Sequence, residues 1–198
     1  MRQPLRATPR QRQEEGRARV LEAALELFET KGVAGLSIRA IAARAGIPTM
    51  TLYGYFPGKT AIIRALWSQA FDPLTAEMDA AVASEADPKE RLRKVANALV
   101  GYWLRFPDRY RMVFMIEDRR EHEDDPWFIE ETDVVASYAR FAPLIAAARG
   151  DPGGDYLREG EALLCALNGI VHMLVTVSEY RWADSETYVD LIVRGFVD

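Results

Sequence analysis

The chain has 198 residues, of which 49% are hydrophobic and 28% charged, with a net charge of −5 and one cysteine. This is enough apolar material for a substantial core, and a lone Cys165 rules out an intramolecular disulfide framework. The charge is unevenly divided: residues 1–60 carry ten basic and five acidic side chains, the remainder fifteen and twenty-five, so one end suits a polyanion and the rest repels it.

Arg2, Arg6, Arg10, Arg12, Arg17 and Arg19 face only Glu14 and Glu15 in the first 19 residues, forming a basic arm. No apolar h-region follows these arginines, so a reducing cytoplasm is the expected compartment. From about Gln11 to Thr30, Leu21, Ala24, Leu25 and Phe28 recur at helical spacing, and Gly32 stands at the expected stop. Ser37 is placed to cap a short helix ending at Ala45 and Gly46, with Ile38, Ile41 and Ala42 inward. A third helix is expected from near Thr49 to Phe56, with Ile47, Leu52 and Phe56 closing an apolar wedge and Thr49 replacing Pro48 as N-cap. A longer helix should start at Lys59, carry Ile62, Ile63, Leu66 and Trp67, and bend or break at Asp72 and Pro73.

Asp87, Pro88 and Glu90 form a capping-box pattern ahead of a helix burying Leu92, Val95, Ala96, Leu99, Trp103 and Phe106. Pro107 restarts the chain into a helix with Tyr110, Val113 and Phe114. The run from Glu117 to Asp125 is charged and reads as a solvated loop; Asp125 and Pro126 then cap a helix reaching Ala148 or Arg149, bent at Pro143. Gly150 to Gly154 is a loop. Two helices follow, about Tyr156 to Arg181 and Ser185 to Val197. The stretch from Ala162 to Ser178 has no formal charge, but Asn168, Gly169 and His172 make it a buried interface helix rather than a membrane span. Strand patterns are absent, and the expected fold is all-α with about nine helices.

A short helix, a glycine turn and a second short helix in a basic segment have the form by which a helix-turn-helix seats its second helix in the major groove. The segment from Gly35 to Ile63, GLSIRAIAARAGIPTMTLYGYFPGKTAII, strongly resembles the DNA-binding head of the TetR family, with Ser-Ile, Ile-Ala, Ala-Gly, Leu-Tyr, Tyr-Phe and Lys59 at the family spacing. The resemblance implies a three-helix, homeodomain-like head over residues 1–58 and a helical body for ligand binding and dimerisation over 59–198. It places Thr49, Met50 and Thr51 at base edges and Tyr53 and Tyr55 at phosphates or adjacent bases. Lys59 would lie at a phosphate beside a helix N-terminus. Ser37 and Arg39 are candidate backbone clamps, with Arg44 a weaker one. Gly54 stands where the family carries a large aromatic or basic side chain, so base readout leans on Thr49, Met50 and Thr51. Two readings of the arginine arm stand side by side, a minor-groove contact and a charged tail.

The resemblance further implies a transcriptional repressor that binds a palindromic double-stranded operator as a homodimer, paired through its last two long helices, and is released by a largely apolar small molecule. Trp103, Phe106, Tyr110, Met115, Asn168 and His172 are the candidate ligand contacts, with Trp127 a further one; the aromatic stripe from Tyr102 to Tyr110 also falls at helical spacing, which ordinary core packing explains. Asn168 and His172 lie four apart on an apolar helix, where buried polar groups need partners; a ligand and mutual or interface hydrogen bonding both answer that need. An enzyme is the competing class, but two histidines, one cysteine and no HExxH, GxSxG or phosphate loop supply no catalytic constellation, cofactor site or metal site. A peptide-binding module using the basic head is a third reading.

Overall fold

The computed structural model describes residues 8–32, 35–115 and 139–197. Among these residues the secondary structure is entirely helical, in nine helices. The chain divides into two compact units between Ser68 and Gln69, within the fourth helix.

In the first unit, α1 (Pro9–Lys31) begins earlier than the apolar periodicity suggests. Its start is set by polar chemistry: Thr8 Oγ1 accepts from the Gln11 N–H at 3.3 Å, while Gln11 Oε1 accepts from the Thr8 N–H at 2.8 Å. This reciprocal capping box, with Pro9 at the first helical position, satisfies donors that the helix itself leaves open. The helix ends at Lys31, before Gly32, as expected. Val20, Ala24, Leu27 and Phe28 fill its inner face, whereas Leu25, expected inward, is only half-buried. α1 packs on α2 (Ile38–Arg44), and α2 packs on α3 (Thr49–Tyr53). α4 (Lys59–Ala83) opens in this unit and contributes buried Ile62, Ile63 and Leu66.

The second unit holds the remainder of α4 together with α5 (Pro88–Arg105), α6 (Pro107–Phe114), α7 (Phe141–Ala148), α8 (Leu157–Thr176) and α9 (Ser185–Val197). α5 is the central helix, packed against α7, α8 and α9 through a continuous apolar face that includes Leu92, Val95, Leu99 and Trp103. Asp87 caps it by accepting from the Glu90 N–H at 2.9 Å, but the Glu90 carboxylate turns to Arg93 instead of returning to the cap, so only half of the expected box forms. Phe106, expected on the buried side, is 37% exposed, because α5 ends at Arg105 and the chain turns there into α6.

Three expectations need correction. α4 is one helix through Pro73, so of the expected bend or break the break does not occur. A proline removes one backbone hydrogen bond from the helix and crowds the preceding turn, and buried Phe71, Leu74 and Met78 keep α4 packed on both sides of it. Pro143 is the third residue of α7, where a missing N–H costs nothing, and not a bend within a helix. α8 stops at Thr176, short of Arg181; beyond it, the Trp182 indole N–H donates to the Val177 carbonyl at 2.7 Å. The expected loop from Glu117 to Asp125, the cap at Asp125 and Pro126, and Trp127 lie outside the described residues. Among the described residues no helix is long and apolar enough to cross a membrane.

Candidate nucleic-acid interface

The turn between α2 and α3 is built from the backbone outward. Gly46 has φ 66°, a conformation that is cheap only without a Cβ. Its N–H donates to Ala43 O at 3.2 Å, and the Ile47 N–H donates to Ala42 O at 3.0 Å. These paired bonds are a Schellman motif, which consumes the carbonyls freed at the end of α2 and turns the chain sharply. At the other end of α2, the Ser37 Oγ accepts from the Ala40 N–H at 3.2 Å, so Ser37 serves as N-cap and its side chain remains exposed.

α3 is five residues long and is held from one side. Leu52 and Phe56 are completely buried, as the sequence leads one to expect, while Ile47 is half-buried. With those two anchored, the other residues turn outward: Met50 is 79% exposed and Tyr53 48%, Thr51 is exposed, and Thr49 is half-exposed. The expected N-cap at Thr49 is not found. Pro48 occupies that position with extended backbone and offers no side-chain acceptor, so Thr49 is the first helical residue and its hydroxyl is not spent on capping.

Tyr55 is placed differently from its neighbours. Its ring lies against Gly16 of α1, so closely that a Cβ on Gly16 would fall within 3.0 Å of ring atoms and the hydroxyl. The Tyr55 carbonyl accepts from the Arg17 guanidinium at 2.5 Å, and the same guanidinium sits 4.1 Å from the centre of the Phe56 ring. Gly16 and Arg17 therefore brace the turn between α3 and α4. Gly16 was not singled out from the sequence, and Arg17 only as one charge of the basic arm, since contacts 38 residues apart leave no local periodic signal. Arg39 is exposed on α2, Lys59 is half-exposed at the first position of α4, and Arg44 is paired with Glu26 at 2.5 Å. The exposed faces of α2 and α3 thus carry arginine, hydroxyls, a thioether and a phenol over an apolar wedge, the layout of a helix-turn-helix that reads duplex DNA.

The second unit contains a small apolar cavity of about 10 Å³. α4 contributes Phe71, Leu74, Thr75 and Met78 to its wall, and α5 contributes Leu99 and Trp103. Phe114, Leu164 and Asn168 complete the described lining. Of the candidate ligand contacts, Trp103 and Asn168 are brought together here. Tyr110 is buried beside Trp103, with ring centroids 5.9 Å apart, and its hydroxyl donates to the Asn168 main-chain carbonyl at 3.3 Å. Burial pushes its phenol above the ordinary value. Phe106 lies under the Arg109 guanidinium, 4.5 Å from it, away from the cavity lining. Met115 is 48% exposed and His172 is also exposed, its ring 6.4 Å from that of Tyr110. Of the alternatives for Asn168 and His172, a mutual hydrogen bond does not form: the Asn168 amide nitrogen donates to Leu164 O at 3.1 Å. The α4 residues of the wall were not singled out from sequence, because at helical spacing they are indistinguishable from ordinary core. Among the described residues, no group of three or more histidine, cysteine or acidic side chains is placed to hold a metal ion.

The first unit is thus a helix-turn-helix head. Residues 20–66 match the family model described as bacterial regulatory proteins, tetR family. The chain is 29% identical over 143 residues to the HTH-type transcriptional repressor KstR of Mycobacterium tuberculosis, covering 72% of this chain and 63% of that protein, less than two thirds of its length. It is 29% identical over 177 residues to the HTH-type transcriptional activator FasR of Mycolicibacterium smegmatis, covering 89% of this chain and 76% of the relative. The fold matches that of the transcriptional regulator FadR from Bacillus subtilis, solved in complex with stearoyl-CoA, with a TM-score of 0.71 at 17% identity over 91% of this chain and 97% of FadR. In its head, residues 20–66, the chain is similar to the TetR family.

Proposed function

We propose that this protein is a DNA-binding transcriptional repressor that sits on a palindromic operator as a homodimer and is released by a small, largely apolar molecule. Residues 1–58 serve as the DNA-binding domain and 59–198 as the effector and dimerisation domain, and the protein works in the cytoplasm. The observation that carries the reading is the outward face of α3, where Thr49, Met50, Thr51 and Tyr53 are presented by a helix anchored through fully buried Leu52 and Phe56. Thr49, Met50 and Thr51 read base edges, partly through apolar contact with thymine methyls. Tyr53, Arg39, Ser37 and Lys59 hold the phosphate backbone, and they give position rather than sequence; Tyr55, its ring lodged against Gly16, braces the turn behind them.

A recognition helix this short reads only a few base pairs, so useful specificity requires two heads. The support for pairing through α8 and α9 is their uncovered surface: Ala162, Cys165, Gly169 and Met173 are exposed along α8, and Leu191 is 62% exposed on α9. An uncharged stripe with small residues lets helices approach closely, and charged residues are depleted at the centre of interfaces. Support for an effector comes from the apolar cavity and from FadR, the similarly folded regulator solved with stearoyl-CoA.

Selection of bound sequences from a random duplex pool tests the reading. The expected result is an inverted repeat whose half-sites lie one helical turn apart, about 34 to 36 Å, or a multiple of it, with affinity falling steeply as salt rises. Affinity for duplex DNA no greater than that of a neutral control protein in low salt would overturn it.

A further inference from the structure

We propose that the cavity between α4, α5 and α8 takes an uncharged, largely apolar molecule carrying a hydrogen-bond donor, a hydroxyl or N–H, which the Asn168 side-chain oxygen accepts. This rests on the reading that the second unit holds an effector, and it specifies the chemistry of that effector.

Polar side-chain nitrogen and oxygen atoms enter the described lining at three positions, Thr75, Trp103 and Asn168; the indole N–H of Trp103 can only donate, and none of the described lining residues is ionisable. A charged headgroup seated in this wall would lose its hydration with no counter-charge to replace it. The Asn168 amide is oriented by its own helix: its nitrogen donates to the Leu164 carbonyl at 3.1 Å, an oxygen that can only accept, so the side-chain oxygen is the atom left over. That oxygen is buried and has no hydrogen-bond partner among the described residues. The nearby Tyr110 hydroxyl does not supply one, because it donates to the main-chain carbonyl of Asn168 at 3.3 Å. An unpartnered buried acceptor in an apolar wall selects for a donor. A bare hydrocarbon chain would leave it orphaned.

At about 10 Å³ the cavity has room for roughly one water molecule. A ligand of ordinary size needs some 300 Å³ or more, so binding must spread the walls. Four of the described lining residues, Phe71, Leu74, Thr75 and Met78, belong to α4. Occupancy therefore acts directly on that helix.

The test uses the full chain and two probes, decan-1-ol and its methyl ether, which share a hydrocarbon body and differ in the donor. Affinities are read by titration of tryptophan fluorescence and by thermal shift. The wild type is expected to bind the alcohol about tenfold or more tightly than the ether, the penalty for leaving a site's polar group unpaired. Asn168→Leu and Asn168→Ala should erase the preference. Equal binding of the two probes by the wild type overturns the proposal, and that comparison needs no variant to fold. So does a preference that survives in a folded Asn168 variant, or the absence of binding by either probe up to its solubility. Duplex DNA binding is measured on the same preparation. Loss of DNA binding with the donor preference intact counts against the regulator reading alone, whereas DNA binding without the preference counts against the ligand class alone.

Discussion

Replacing Gly16 with alanine puts a methyl group where the Tyr55 ring now lies. Gly16 is buried on α1, and a Cβ there would come within 3.0 Å of the Tyr55 hydroxyl and of two ring carbons, closer than real side-chain contacts allow. Two effects oppose each other. Alanine is better than glycine inside a helix by about 1 kcal/mol, whereas forcing an extra methyl into a packed contact costs about 1–3 kcal/mol. The expected net for Gly16→Ala is therefore a loss of roughly 0–2 kcal/mol while Tyr55 is present. In a Tyr55→Ala background the ring is gone and the same substitution should stabilise by about 1 kcal/mol. The coupling between the two positions is thus about 1–3 kcal/mol, set by the steric contribution alone. Urea denaturation of the four proteins in the double-mutant cycle measures it. Duplex affinity followed in parallel should fall in Gly16→Ala, since a displaced ring shifts the turn that follows α3. An equal gain in stability in both backgrounds would refute the idea that the ring is lodged against Gly16.

Two further outcomes are expected. Lys59→Ala should weaken binding to operator and random duplex alike, and should flatten the plot of log affinity against log salt by about 0.9, the loss of one phosphate contact; an unchanged salt slope would remove Lys59 from the DNA surface. For Tyr110, burial raises the folded-state phenol pKa above its ordinary value. The unfolded chain then releases the proton first as pH rises, so stability should decline as pH passes about 10. Tyr110→Phe should lose that component of the alkaline slope while keeping its slope near neutrality, as read from denaturation midpoints across pH.

Local chemistry was legible in the residues themselves. The helical periodicity, the caps at Ser37 and Asp87, the glycine turn at Gly46 and the basic head are short-range features, and each depends on atoms within about one helical turn. They were enough to recognise an all-α chain with a helix-turn-helix head and to pick out Leu52 and Phe56 as core. Where the reading failed, a distant partner decided. Pro73 does not interrupt α4, whose Phe71, Leu74 and Met78 are buried on both sides of it. Phe106 left the buried face because the chain turned before reaching it. Tyr55 looked equivalent to Tyr53 until α1 supplied Gly16 and Arg17 to hold it. Asn168 was visible as a polar residue on an apolar helix, but only packing showed that one of its two polar atoms is satisfied by Leu164 and the other by no described residue. Sequence determined the helices and their outward chemistry because those follow from neighbours along the chain; the tertiary structure alone decided which polar atoms are left unpaired and which aromatic rings are braced, because those depend on residues that only folding brings within a few ångströms.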